Sequence, residues 1–97
     1  MAFSNDDIQN VWSKGSIVPG NDSAYWRMDQ CGAWIGRFSY GIRNSEYGWE
    51  VDHIDTNTNN NVLSNLRPLH WMNNASRQDG RLACPVTANG VNNVGWN

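Results

Sequence analysis

The sequence predicts one small α+β domain in which an N-terminal helix and additional short β-strands precede a strand, a loop, a second strand and a helix. Three observations carry this expectation. Ile8, Val11 and Trp12 repeat at helical spacing behind a capping sequence. From Glu50 to about Asp79 the chain alternates, breaks at an Asn-rich run, resumes as a second short extended piece and then changes to a helical period. Six tryptophans (Trp12, Trp26, Trp34, Trp49, Trp71 and Trp96) are spread along 97 residues, which suits one core built from large rings in a chain too short to bury much surface otherwise.

Taken in order, Ser4-Asn-Asp-Asp7 supplies an N-cap and first-turn acids for a helix that runs until Gly15. Ser16 to Val18 is a brief extended piece, and Pro19-Gly-Asn-Asp-Ser is turn chemistry. Tyr25 to Asp29 and Gly32 to Arg37 read as the two arms of a β-rich segment, followed by a loop from Tyr40 to Gly48. Glu50 to Ile54 is the next strand, Asp55 to Asn61 a turn whose Asn residues tolerate left-handed backbone, and Leu63 to Leu69 contains a second short strand. The helix from Trp71 to about Asp79 is expected to turn Trp71, Asn74, Ala75 and Gln78 inward. Residues 1–81 then form the domain. Residues 82–97, nearly uncharged and rich in Gly and Asn, read as an irregular tail that Trp96 could anchor.

A net charge of −2 and a pI near 5.4 are unfavourable for broad phosphate binding, which draws most of its affinity from Lys and Arg. Yet six of the seven basic residues are Arg, the type suited to bidentate phosphate contact, so a local basic face fits within an acidic total. Cys31 and Cys84 form no Cys-x-x-Cys pair, which removes a structural zinc site. The chain shows no leader-like or membrane-length apolar run, so a cytoplasmic protein without membrane contact is expected, with the thiols reduced there and a disulfide possible but without support from the spacing.

Asp52 and His53 at a strand end, Asn65 after the loop and an amide on the following helix form a sparse, ordered set of polar groups. Such a set suits hydrolysis of a phosphodiester with one divalent ion. In detail, Trp49-Glu-Val-Asp-His-Ile, Ser64-Asn-Leu-Arg-Pro-Leu and Asn73-Asn74 resemble the HNH family of ββα-metal endonucleases. Upstream, Trp26-Arg-x-Asp-x-Cys-Gly32, Ile35, Arg37, Tyr40-Gly and Gly48-Trp resemble the leader of one branch of small bacterial and phage HNH proteins. The likeness spans roughly residues 10 to 80.

What the resemblance implies is specific. His53 is the general base, an imidazole titrating near neutrality that takes a proton from the attacking water, and Asn65 holds its ring across the hairpin. Asp52 and the helix residue Asn74 hold one divalent ion, Mg²⁺ or Mn²⁺ for an oxygen-rich set. Asn73 competes with Asn74, since one residue rotates a helix by about 100° and only one of them faces the ion; the resemblance selects Asn74. His70 matches a third-ligand position, which would make Zn²⁺ or Ni²⁺ competitive, and reads equally well as a capping or core histidine. Arg67 and Arg77 are candidate phosphate contacts, against an ion pair with an acid such as Glu50 for Arg67 and a solvated helix-end charge for Arg77.

Two features test this reading. Neighbouring strand residues point to opposite faces, so for Asp52 and His53 to reach one phosphate the chain has to bend there. The loop Asp55-x-Asn57-x-Asn59 also imitates a calcium loop, but Asn60 and Leu66 stand where that loop needs Gly and Glu. The loop lacks the Pro and the Gly-Gly turn usual in HNH proteins. The expected function is a divalent-metal-dependent endonuclease on double-stranded DNA, acting alone, as a homodimer or in a larger phage or bacterial complex. The alternatives are a catalytically silent nucleic-acid-binding domain on the same fold, or a Trp-rich acidic interaction or inhibitor protein.

Overall fold

The structure, a computed structural model, describes residues 3–97. It is an α+β arrangement of two helices and three antiparallel strand pairs in the order α1 (Asn5–Trp12), β1 (Trp26–Met28), β2 (Trp34–Gly36), β3 (Trp49–His53), β4 (Leu66–His70), α2 (Trp71–Ala75), β5 (Thr87–Asn89) and β6 (Asn92–Val94). Short 3₁₀ turns at Arg37–Ser39 and Leu63–Asn65 lead out of β2 and into β4.

Helix α1 begins where its cap chemistry dictates. The Ser4 hydroxyl accepts from the Asp7 N–H at 3.1 Å and the Asp7 carboxylate takes the Ser4 N–H at 3.3 Å, satisfying two donors that a helix start leaves open. The helix buries Ile8, Val11 and Trp12 in a core shared with Ile35, Trp49 and Leu66. The Trp12 and Tyr40 rings lie 5.3 and 4.9 Å from Trp49, contacts in which edge and face charge distributions attract. Trp12, Trp34 and Trp49 are buried and Trp26, Trp71 and Trp96 half-buried, so tryptophan fills this core as expected.

The central hairpin pairs β3 with β4 in the register Trp49↔His70, Val51↔Pro68 and His53↔Leu66. Trp49 and Val51 pack on the core, and alternation therefore turns Glu50 and Asp52 to the opposite face, against α2. Gly48 precedes β3 because its backbone passes so close to the Ile42 carbonyl and the Trp71 ring that a Cβ would overlap both.

Five expectations are corrected. Helix α2 spans 71–75 and stops short of Asp79, because Asp79 and Gly80 take positive φ (51° and 80°) in a two-residue turn that pairs Gln78 with Arg81. Its buried side chain is Asn73, while Ala75 and Gln78 are exposed, so the inward face is rotated from the one expected. In the Asn-rich loop the left-handed residue is Thr56 (φ 63°), not an Asn.

Residues 82–97 are not irregular. They carry the β5–β6 hairpin with Gly90 (φ 65°) and Val91 at its turn. Asn73 exchanges hydrogen bonds with the Val86 backbone at 3.0 and 2.9 Å, Asn93 does the same with Trp34 at 2.8 and 2.9 Å, and a Cys31–Cys84 disulfide closes the segment onto β1–β2. The two thiols are therefore joined rather than reduced, which is at odds with a reducing compartment. No helix among the described residues is long and apolar enough to cross a membrane.

Candidate functional site

On the face of the hairpin turned toward α2, Asp52 is 1% exposed and meets two guanidinium groups. Its Oδ2 accepts from Arg67 Nε at 2.7 Å, as the Asp52↔Arg67 register requires. Arg67 is itself buried and spends its other nitrogens on Gln30 Oε1 at 3.1 Å and the Gly80 carbonyl at 2.8 Å. It is a structural counter-ion, paired with Asp52 rather than Glu50, and has no face left for a substrate phosphate.

The other oxygen of Asp52 has a different partner. Oδ1 lies 2.7 Å from Arg77 Nε, an ionic contact that lacks hydrogen-bond alignment and leaves Oδ1 a buried acceptor without a donor. The same Arg77 Nε donates to Asn74 Oδ1 at 3.2 Å. Asn74 Nδ2 donates to Glu50 Oε1 at 2.8 Å, and Arg43 grips Glu50 with a fork at 2.8 and 2.9 Å. These partners fix the amide: a carboxylate only accepts and a guanidinium only donates, so the nitrogen of Asn74 faces Glu50 and its oxygen faces Arg77. Burial pushes the Glu50 carboxyl up, but hydrogen bonds from Arg43 and Asn74 outweigh it and hold the group below the usual carboxylate range.

His53 stands apart from this cluster. β3 stays regular through His53, paired with Leu66, and the chain turns only from Ile54, so the bend expected between Asp52 and His53 falls one residue later. The His53 ring lies 6.0 Å from Phe3, and its Nε2 is 2.7 Å from Asn61 Oδ1. With that oxygen toward it, Nε2 is the donor of this contact.

Asn65, expected to hold this ring, instead builds the loop. Its Oδ1 takes the Asp55 N–H at 3.0 Å and its Nδ2 reaches Asp55 Oδ1 at 2.8 Å and the Asn60 carbonyl at 2.9 Å. Asn60, whose carbonyl it binds, directly precedes Asn61, the residue that meets His53.

His70 takes the capping role. Fully buried, it accepts the Met72 N–H on Nδ1 at 3.1 Å and donates from Nε2 to the Glu46 carbonyl at 2.8 Å, so both nitrogens are used. Its pKa is lowered by burial, against the pull of the Glu46 carbonyl and of Asp29, Glu46 and Glu50.

The structure thus gathers Asp52, Asn74, Arg67 and Arg77, and places His53, Asn65 and His70 elsewhere. Among the described residues no three His, Cys, Asp or Glu side chains cluster as metal ligands; the convergent pair is one carboxylate and one amide. Sequence reasoning passed over Asn61 and the Glu50–Arg43 pair as site-shaping groups. Glu50 had a signal, two residues before Asp52 and hence on its face. Asn61 had none, being one amide among many. Comparison with protein-family models, with curated proteins and with solved structures returns no match, so the site stands on its own geometry.

Proposed function

We propose that the protein is a divalent-metal-dependent endonuclease of the HNH type that hydrolyses phosphodiester bonds of DNA, leaving 5′-phosphate and 3′-hydroxyl ends. The observation that carries this reading is the convergence of Asp52 Oδ1 and Asn74 Oδ1 on one cationic nitrogen, on a strand, strand and helix that hold both oxygens by backbone. Asp52 Oδ1 is buried, has no aligned hydrogen-bond donor and is balanced only by the ionic contact with Arg77, the kind of acceptor a metal ion can take over.

Asp52 and Asn74 would hold the ion, and an oxygen pair with open positions suits Mg²⁺ or Mn²⁺. His70, with both nitrogens committed, leaves the case for Zn²⁺ or Ni²⁺ without its ligand. When bound, the metal supplies Lewis-acid stabilisation of charge on the phosphate and the departing 3′ oxygen. His53 Nδ1 accepts the proton of the attacking water, with Asn61 fixing the tautomer. Because β3 ends at His53, a phosphodiester laid across the strand end is open to both faces. Arg77, partly exposed, and Arg43, exposed beside Glu50, are cations at the cluster able to meet substrate.

The test is nicking of supercoiled plasmid with Mg²⁺, Mn²⁺, Ni²⁺ and Zn²⁺, with and without chelator, beside His53→Ala. Chelator-sensitive nicking that drops at least a hundredfold in His53→Ala supports the reading, and full-rate nicking by the variant sinks the mechanism. One observation favours a second reading. Asp52 and His53 occupy opposite faces of a regular strand, which suits a catalytically silent nucleic-acid-binding domain. That protein shifts DNA in a gel and nicks it under no metal.

A further inference from the structure

Arg77 Nε sits between the two oxygens assigned above to the ion, 2.7 Å from Asp52 Oδ1 and 3.2 Å from Asn74 Oδ1. We infer that Arg77 is the resident cation of this oxygen pair, and that its side chain has to leave before a divalent ion binds there. The inference rests on the reading of Asp52 and Asn74 as the metal pair.

Two comparisons within the site argue that Arg77 is the exchangeable cation. Arg67 is locked, its side chain 8% exposed and tied to Asp52, Gln30 and Gly80, whereas Arg77 is 24% exposed and its guanidinium, among the described residues, makes polar contact only with the two oxygens in question. Arg77 also lies past the end of α2, in the turn segment before Asp79 and Gly80, so its release breaks no helical backbone hydrogen bond. The oxygens stay behind when it goes. Asn74 is held by Glu50, which Arg43 holds in turn, and Asp52 keeps its bond to Arg67. Departure of Arg77 therefore leaves a preformed acceptor pair with one positive charge removed, and the freed guanidinium is available to a substrate phosphate. A ligand that binds only the open form has its affinity reduced by the fraction of molecules that are open, so a resident cation keeps metal binding weak until it is removed.

The test is Mn²⁺ binding by calorimetry on the full chain without DNA, for the unmodified protein, Arg77→Gln, Arg77→Lys and Arg77→Gln combined with Asn74→Ala. Arg77→Gln is expected to bind Mn²⁺ about tenfold more tightly, Arg77→Lys to stay near the unmodified protein, and the Asn74→Ala combination to lose the gain. A merely structural arginine gives the opposite sign, since its loss loosens the site. In the unmodified protein the Arg77 Nε–H resonance is expected to move on Mg²⁺ titration, a readout that does not depend on any variant folding. A folded Arg77→Gln that binds no more tightly, or an Nε–H signal unmoved at saturating Mg²⁺, overturns the inference. If the unmodified protein still nicks plasmid in a chelator-sensitive way, only this inference falls. If no protein binds Mn²⁺ and none nicks DNA, the metal reading falls with it.

Discussion

Asp29 shows how a single side chain outside the candidate site governs its frame. The carboxylate is 4% exposed and accepts four N–H donors: Cys31 and Ala33 at 2.9 Å on one oxygen, the His70 backbone at 3.0 Å and the Asn73 amide at 3.1 Å on the other. It has no ion-pair partner among the described residues, so backbone and amide dipoles alone balance its charge. One side chain thereby joins the β1–β2 turn to the β4–α2 junction, on which Asn74 depends for its place. Replacing it with Asn turns one acceptor into a donor that faces donors. Hydrogen bonds to charged groups contribute more than neutral ones, and buried donors left unpaired keep their desolvation cost. Asp29→Asn is therefore expected to lower unfolding free energy by about 3 kcal/mol, measured by urea denaturation. An unchanged midpoint would show that Asp29 is not the hinge of this junction.

At the scale of elements, what the sequence made legible follows from how local each cause is. The α1 cap and its Ile8, Val11 and Trp12 stripe need only neighbouring residues, and both were readable. The β3–β4 hairpin and the location of α2 came from alternation and a change of period, but the end of α2 did not, because Asp79-Gly80 is a turn signal that outranks helical periodicity. The β5–β6 hairpin hid behind low charge. Its stability comes from Asn73, Asn93 and Cys31, which lie 13 to 59 residues from their partners and leave no local trace. At the site, Asp52 and Asn74 were foreseen together and do converge, whereas the partners of His53 and Asn65 depended on the path of a loop that no periodicity describes. The disulfide closes 53 residues, a loop whose chain entropy is worth about 4 kcal/mol in the unfolded-state model. Cys31→Ser with Cys84→Ser, or reduction of the intact protein, is thus expected to lower the thermal midpoint by well over ten degrees and to expose the 82–97 segment first to limited proteolysis. Loss of the midpoint without early cleavage there would mean that the segment is held by Asn73 and Asn93 alone.

For the molecule as a whole, a radius of gyration of 12.3 Å matches the roughly 12.5 Å of a compact chain of this length, as expected if residues 82–97 are part of the folded body. Among the groups with shifted pKa values, His70 and Glu50 act on the acid limb at different pH, and the exposed Asp55 carboxyl, lowered by hydrogen bonds from Asn60, Asn57 and Asn65, acts in the same direction as Glu50. His70 is kept neutral by burial, although the Glu46 carbonyl and the acids Asp29, Glu46 and Glu50 favour its cation. Its folded pKa lies below the unfolded value of about 6.5, so the unfolded chain takes the proton first and stability falls as pH drops below that value. Glu50 has the reverse arrangement. Its folded pKa is depressed, so its contribution is complete above about pH 4.5 and is lost as pH falls through the folded value. The two losses are sequential, and unfolding free energy should decline in two stages from neutrality downward. His70→Asn keeps an acceptor for the Met72 N–H while removing the titrating ring. It is expected to be less stable at pH 7, because a fully buried ring is lost. Its urea midpoint should nevertheless stay flatter between pH 7 and 5, with the decline below 4.5 retained. If the variant and the unmodified protein lose stability in parallel across pH 7 to 5, the proton uptake belongs to another group and the buried neutral imidazole is not what limits this fold in acid.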